Sequence, residues 1–159
     1  MILPDLIELN DYNGDFASYL EAVYNVFKKD FVHDKPYFKG KKLALKKHPV
    51  TNGKEYTFYH LTHSGPDEKN RTPDMVRMAR IGYPKPIIDN SGNISLKVWR
   101  NERKNKSRIL LFHEKENYLV ILEDRKKYIL PWTAYYINYR NSKKKLLKEY
   151  NNYKAKTAL

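Results

Sequence analysis

Apolar residues recur at helical spacing over residues 15–31, where Phe16, Tyr19, Leu20, Val23 and Phe27 share one face. Asn13-Gly14 turns the chain before them and Asp15 stands where an N-cap belongs, so this stretch predicts an amphipathic helix packed on a core. Residues 39–47 alternate Leu43 and Leu45 with lysines and read as a strand. After the Asn52-Gly53 turn, residues 54–61 read as a second strand, with Tyr56, Phe58 and His60 on one face and Thr57, Tyr59 and Leu61 on the other. The polar stretch around Ser64-Gly65-Pro66 is a loop. Thr72-Pro73-Asp74 predicts a helix start, with Thr72 as cap and Pro73 in the first helical position. That helix turns Met75, Met78 and Ala79 inward and sets Arg77 and Arg80 side by side. Pro84 and Pro86 should end it, and Ile87-Ile88 begin a short second piece.

From Ser91-Gly92 onward the pattern changes to a meander. Residues 94–100, 108–113, 118–123 and 128–136 read as strands joined by turns too short for crossover helices, so they should pair antiparallel in chain order. Pro131 falls inside the last run and requires an edge position or a bulge. Residues 141–156 form a final helix with Leu146, Leu147, Tyr150 and Tyr153 on one side. Arg140, Lys143, Lys144, Lys145 and Lys148 crowd its start, where cations oppose the helix dipole, so that face is either a solvated lysine surface or a contact surface. The expected class is α+β: N-terminal helices on a four- to six-stranded, mainly antiparallel sheet, with a basic C-terminal helix.

A chain of 159 residues with 41% hydrophobic and 14% aromatic residues suits one domain with one core. Charge divides it unevenly. Residues 1–30 hold six acids and two bases, a balance of −4, which leaves +17 for the remainder of a chain whose total is +13. The acidic segment, residues 1–31, is thus either a helix that simply covers the core or an acidic cover beside a basic site, and residues 37–155 form the basic body. That excess of Lys and Arg, interleaved with aromatics, predicts a phosphate-bearing partner, RNA above all. The chain has no Cys, which excludes disulfides, thiol catalysis and Cys-based zinc sites. No apolar run approaches the ~20 residues of a membrane span, and the first residues lack the pattern of a secretory signal. The expected compartment is the cytoplasm. No phosphate-binding glycine loop and no His-Glu-x-x-His is present, so neither a cofactor nor a metal is expected.

Metal-free RNA cleavage needs a base for the ribose 2′-hydroxyl, cations for the phosphorane charge and a donor for the departing 5′-oxygen. His60 fits the first role; Arg71, Arg77 and Arg80, which follow shortly after it, and Arg125 at a strand turn fit the second; Thr133 and Tyr135, on one face of the last strand, fit the third. Arg77, Arg125, Lys126, Arg140, Lys143 and Lys144 are the candidate nucleic-acid contacts. Each has an ordinary alternative: a hydrogen-bonded histidine, a salt-bridging arginine, a tyrosine at a strand end.

Phe58-Tyr59-His60-Leu61-Thr62, Arg71-Thr72-Pro73-Asp74, residues 77–81, Pro86-Ile87-Ile88, Val98-Trp99, residues 118–122, Arg125-Lys126-Lys127-Tyr128 and Trp132-Thr133-Ala134-Tyr135 together resemble a prophage-encoded family. That family is similar to the phage barnase/EndoU/colicin/RelE-like nuclease group. The resemblance spans about residues 37–155. It implies helices followed by a four-stranded antiparallel sheet and metal-independent cleavage of RNA, as in a toxin or a phage-defence effector. It also implies that His60 is the catalytic histidine, Arg71 and Arg80 bind phosphate, and Thr133 and Tyr135 occupy the hydroxyl position of the C-terminal strand. The chain departs from the family pattern at Gly82-Tyr83, where a Trp is expected, and at Ala79, where an acid is expected. Two other readings remain: a nucleic-acid-binding module without catalysis, and a basic protein that meets an acidic partner such as an antitoxin.

Overall fold

The computed structural model describes residues 1–158 and contains three layers: helices, a four-stranded sheet and a single C-terminal helix. The chain enters as an extended strap whose Ile7 amide donates to Ala79 O, followed by a 3-10 turn over Leu9–Tyr12. Helix α1 (Phe16–Lys28) starts where expected, because the Asp15 carboxylate accepts from the Ala17 amide and from Ser18 Oγ. Its Tyr19, Val23 and Phe27 are buried, and a π turn over Lys29–His33 carries Phe31 into the same core.

The two strands expected over 39–47 and 54–61 are not there. Only Lys41–Lys42 (β2) pairs, with Tyr37–Phe38 (β1), and Leu43 then turns into the core. Residues Tyr56–Thr62 form a helix, α2, despite their aromatic and β-branched composition. Tertiary contacts override that propensity. Phe58 packs edge-on against Phe27 and Tyr24, and the carbonyls of Lys46 and Lys47 accept the first amides of the helix. As a result Tyr56, His60 and His63 follow helical spacing rather than alternation. Two ring pairs result: Tyr56 tilted over His60, with ring centroids 4.4 Å apart, and Tyr59 edge-on to His63, at 4.8 Å.

His63–Ser64 (β3) pairs with Thr72–Pro73 (β4), so Thr72 and Pro73 are extended and do not start a helix. The cap of α3 (Met75–Ala79) is Asp74, whose carboxylate accepts from the amides of Val76 and Arg77 and whose own amide is fixed to Thr62 O. Met78 and Ala79 point inward as expected; Met75 is exposed. Pro84 opens α4 (Pro84–Asp89) at its first turn, where a missing amide costs nothing, and Ile87 and Ile88 are buried.

Strands β5 (Leu96–Arg103), β6 (Lys106–His113), β7 (Tyr118–Asp124) and β8 (Ile129–Tyr136) pair antiparallel in chain order. Lys104 and Asn105, both with positive φ, make the tight turn between β5 and β6. One sheet face, including Ile109, Leu111, Val120, Leu122, Ile129 and Ala134, meets α1, α2, α3 and α4. The other, including Trp99, Leu110, Phe112, Leu119, Ile121 and Ile137, meets Leu146, Leu147, Tyr150 and Tyr153 of α5 (Arg140–Thr157). Covering on both faces explains why β6 and β7 read as unbroken apolar runs. Pro131 satisfies both of its requirements. Strand β8 is an edge strand, and the pairing shifts from Ile121↔Thr133 to Leu122↔Pro131, which leaves Trp132 as the extra, bulged residue. Among the described residues, no helix is long and apolar enough to cross a membrane.

Candidate functional site

The candidate site is an open cleft of about 600 Å³. Its walls come from one stretch of chain: Thr51 and Asn52 on one lip, Tyr56, Tyr59, His60 and His63 from α2 and its end, and Glu68, Lys69 and Arg71 on the other lip. Helix α2 lies along the β8 edge, which puts His60 beside Trp132.

His60 is only 6% exposed. Its ring lies between Tyr56 and Trp132, whose centroids are 4.4 and 5.1 Å away. Burial, and secondly the charge of Arg71, pull its pKa down to about 4, against the opposing pull of Glu68. It is therefore a neutral imidazole at physiological pH. Nε2 stands 3.3 Å from Glu68 Oε1, close enough for attraction but off the line that a hydrogen bond requires, and it has no other protein partner. Tyr56 donates its hydroxyl to the same carboxylate oxygen at 2.7 Å, which is the main reason that Glu68 is held below the usual carboxylate range.

His63 was not singled out by its sequence context, yet it lines the same cleft and has the better-defined proton state. Thr62 Oγ1 spends its one proton on Phe58 O at 2.7 Å, so toward His63 Nδ1, 2.8 Å away, it can only accept. The Nδ1 atom of His63 consequently carries the proton and Nε2 carries the lone pair. Burial, then Arg71, lower its pKa as well.

Arg71 supplies the positive charge. Its Nη2 donates to His63 O at 2.6 Å, and its buried Nε has no protein partner. Arg77, predicted to contact nucleic acid, is instead committed to the fold. Its Nη1 reaches His60 O at 3.0 Å, His63 O at 3.1 Å and Thr133 Oγ1 at 3.4 Å, while its guanidinium lies over the Tyr135 ring. Thr133 donates its hydroxyl proton to His60 O at 3.2 Å. It thus holds the end of α2 and has no proton free for a leaving group. Tyr135 and Arg80 are not among the residues lining the cleft. Arg80 bonds Val76 O and stacks over Tyr136.

The remaining predicted contacts are dispersed. Arg125 is paired with Glu123 at 3.0 Å, and Lys126 sits in the β7–β8 turn with its amide on Asp124. Arg140 and Lys144 are exposed at the start of α5, and Lys143 reaches Glu114 O at 3.5 Å. No residue of the acidic segment lines the cleft; α1 packs on the core. Of the predicted set, the fold brings His60 and Arg71 into the cleft and places Thr133 and Arg77 directly behind it.

No protein-family model matches the chain, and neither a curated protein nor a solved structure matches it. Among the described residues, no three His, Asp or Glu side chains converge as a metal-binding group. What the cleft offers chemically is two neutral imidazoles, a guanidinium with an unused donor, and an exposed carboxylate bound to a tyrosine hydroxyl.

Proposed function

We propose that this chain is a metal-independent endoribonuclease, related in kind to the nuclease group that its sequence resembles, with the cleft as its active site. The observation that carries the reading is the juxtaposition of a neutral, enclosed imidazole at His60 with the unpartnered Nε of Arg71. A phosphodiester at Arg71 gives that donor an acceptor and competes with Glu68 for the His60 side of the cleft. His60 then takes the proton of the ribose 2′-hydroxyl as O2′ bonds to phosphorus. The bond from phosphorus to the 5′-oxygen breaks, and the imidazolium returns the proton to that oxygen, leaving a 2′,3′-cyclic phosphate. Arg71 offsets the phosphorane charge. The chain's +13 charge favours capture of the polyanion.

The test is cleavage of single-stranded RNA in EDTA by wild type, His60→Ala, His63→Ala and Arg71→Ala. His60→Ala should lose roughly 10²–10⁴ in rate, and His63→Ala should lose less. Equal activity of wild type and His60→Ala would remove His60 from the reaction. Intact RNA after long incubation with wild type, together with salt-steep binding, would make the chain a binding protein instead.

A further inference from the structure

Trp132 is the one bulged residue of β8, and the bulge turns a half-buried indole out of the strand ladder next to the cleft. Three cations surround that ring: Lys46 Nζ at 5.8 Å, Lys106 Nζ at 5.6 Å and the Arg108 guanidinium at 5.7 Å from its centroid. Lys46 also sits 4.0 Å above the ring of Tyr56, a wall of the cleft, so the charged patch is continuous with the site. Two acids offset it in part. Glu68 attracts Lys46, and Glu123, opposite Arg108 in the β6–β7 pairing, has its Oε1 3.0 Å from Arg125 and 3.9 Å from Lys106. The second oxygen of Glu123 and the Nε of Arg108 are both buried without a protein partner. Lys46, Lys106, Arg108 and Arg125 against Glu68 and Glu123 leave the rim of this half-buried indole net positive, a setting suited to an anion with a flat face.

We infer that Trp132 is a stacking platform for the nucleobase adjoining the phosphodiester bound at Arg71, with Lys46, Lys106 and Arg108 contacting the flanking phosphates. The substrate class is therefore unpaired RNA, since a base can stack on the indole only after leaving its own helix. This inference rests on the ribonuclease reading for the identity of the polymer, but not on catalysis.

The chain supplies its own probe. It has two tryptophans, and Trp99 is 1% exposed with its Nε1 donated to Glu149, so a change in fluorescence on binding reports Trp132. Wild type is titrated with an uncleavable 2′-O-methyl oligoribonucleotide, single-stranded and as a duplex, and with polyglutamate as an acidic polypeptide. Quenching by the single strand is expected, with Trp132→Leu weakening its binding roughly 5- to 100-fold. Trp132→Phe should recover most of the affinity, which separates stacking from misfolding. Arg108→Gln should reduce the slope of log affinity against log salt by about 0.7. Unchanged affinity in a folded Trp132→Leu protein, equal or tighter binding of duplex, or equal quenching by polyglutamate overturns the platform. The two readings fail separately. Quenching without RNA cleavage sinks the nuclease but keeps the platform. Cleavage with an unchanged KM in Trp132→Leu sinks the platform and keeps the nuclease.

Discussion

Replacing Arg77 with Met distinguishes a structural arginine from a substrate-binding one. The side chain is 15% exposed, and one nitrogen, Nη1, serves the carbonyls of His60 and His63 and the hydroxyl of Thr133. Hydrogen bonds from a charged donor contribute about 1.5–3 kcal/mol each, so the two carbonyl bonds together supply roughly 3–6 kcal/mol. Two effects reduce the net loss. Methionine retains the apolar contact with Tyr135, and removing a buried cation relieves its desolvation; the Asp74 carboxylate, 3.6 Å from Nε, then loses a partner that it held only loosely. A destabilisation of about 3 kcal/mol is expected, or a drop in Tm of roughly 6–12 °C for a chain of this size. Urea unfolding followed by circular dichroism measures it, and an unchanged slope against denaturant would assign the loss to the native state. Unchanged stability combined with weaker, less salt-sensitive RNA binding would refute this account and restore Arg77 to the phosphate contacts that its sequence position suggested.

Stability should fall on acidification. The pKa of His60 is lowered from 6.5 to about 4 in the fold, so between those values the unfolded chain binds the extra proton. Its contribution is complete above pH 6.5 and is lost progressively as pH falls toward 4, amounting to roughly 2–3 kcal/mol. Denaturation of wild type and His60→Gln at pH 7 and pH 4.5 should show a shallower dependence in the variant, and parallel dependences would contradict the shift. Thr62→Val removes the acceptor that fixes the proton of His63 on Nδ1; the imidazole NMR signals should then report mixed tautomers, and unchanged signals would refute the hydrogen-bond assignment. Glu149→Leu leaves Trp99 Nε1 and Asn101 Nδ2 without their shared acceptor, at 2.8 and 2.6 Å in the native fold. It should cost about 2 kcal/mol and speed amide exchange in α5.

The four-strand meander was legible in the sequence because each strand is bounded by turn residues and the connections leave room for nothing but antiparallel neighbours. α1 and α5 were legible from their apolar spacing. The Pro131 bulge followed from the missing amide. The segment from 39 to 61 was not legible, and it supplies one lip and the floor of the cleft. Seven residues of mixed aromatic and β-branched character fit either period, and the packing of Phe58 on Phe27 and Tyr24 decided for a helix. That one reversal changed which side chains meet. It brought His63, the first residue past the helix, into the site, where its closeness to His60 in the chain was the signal available. It also set Thr133 and Arg77 behind the site as supports. Glu68 gave no local signal, since its role depends on a loop folding back over Tyr56.

The cleft walls are drawn from residues 49–73 alone, and α2 within them is held to the rest of the fold by Phe58 and Leu61 in the core, by Arg77 on the carbonyls of His60 and His63, and by Thr133 on the carbonyl of His60. The floor of the cleft is thus tied to the core, and any widening falls to its two lips. A compound wedged between the lips would fill the cleft while the sheet and the core helices stayed closed.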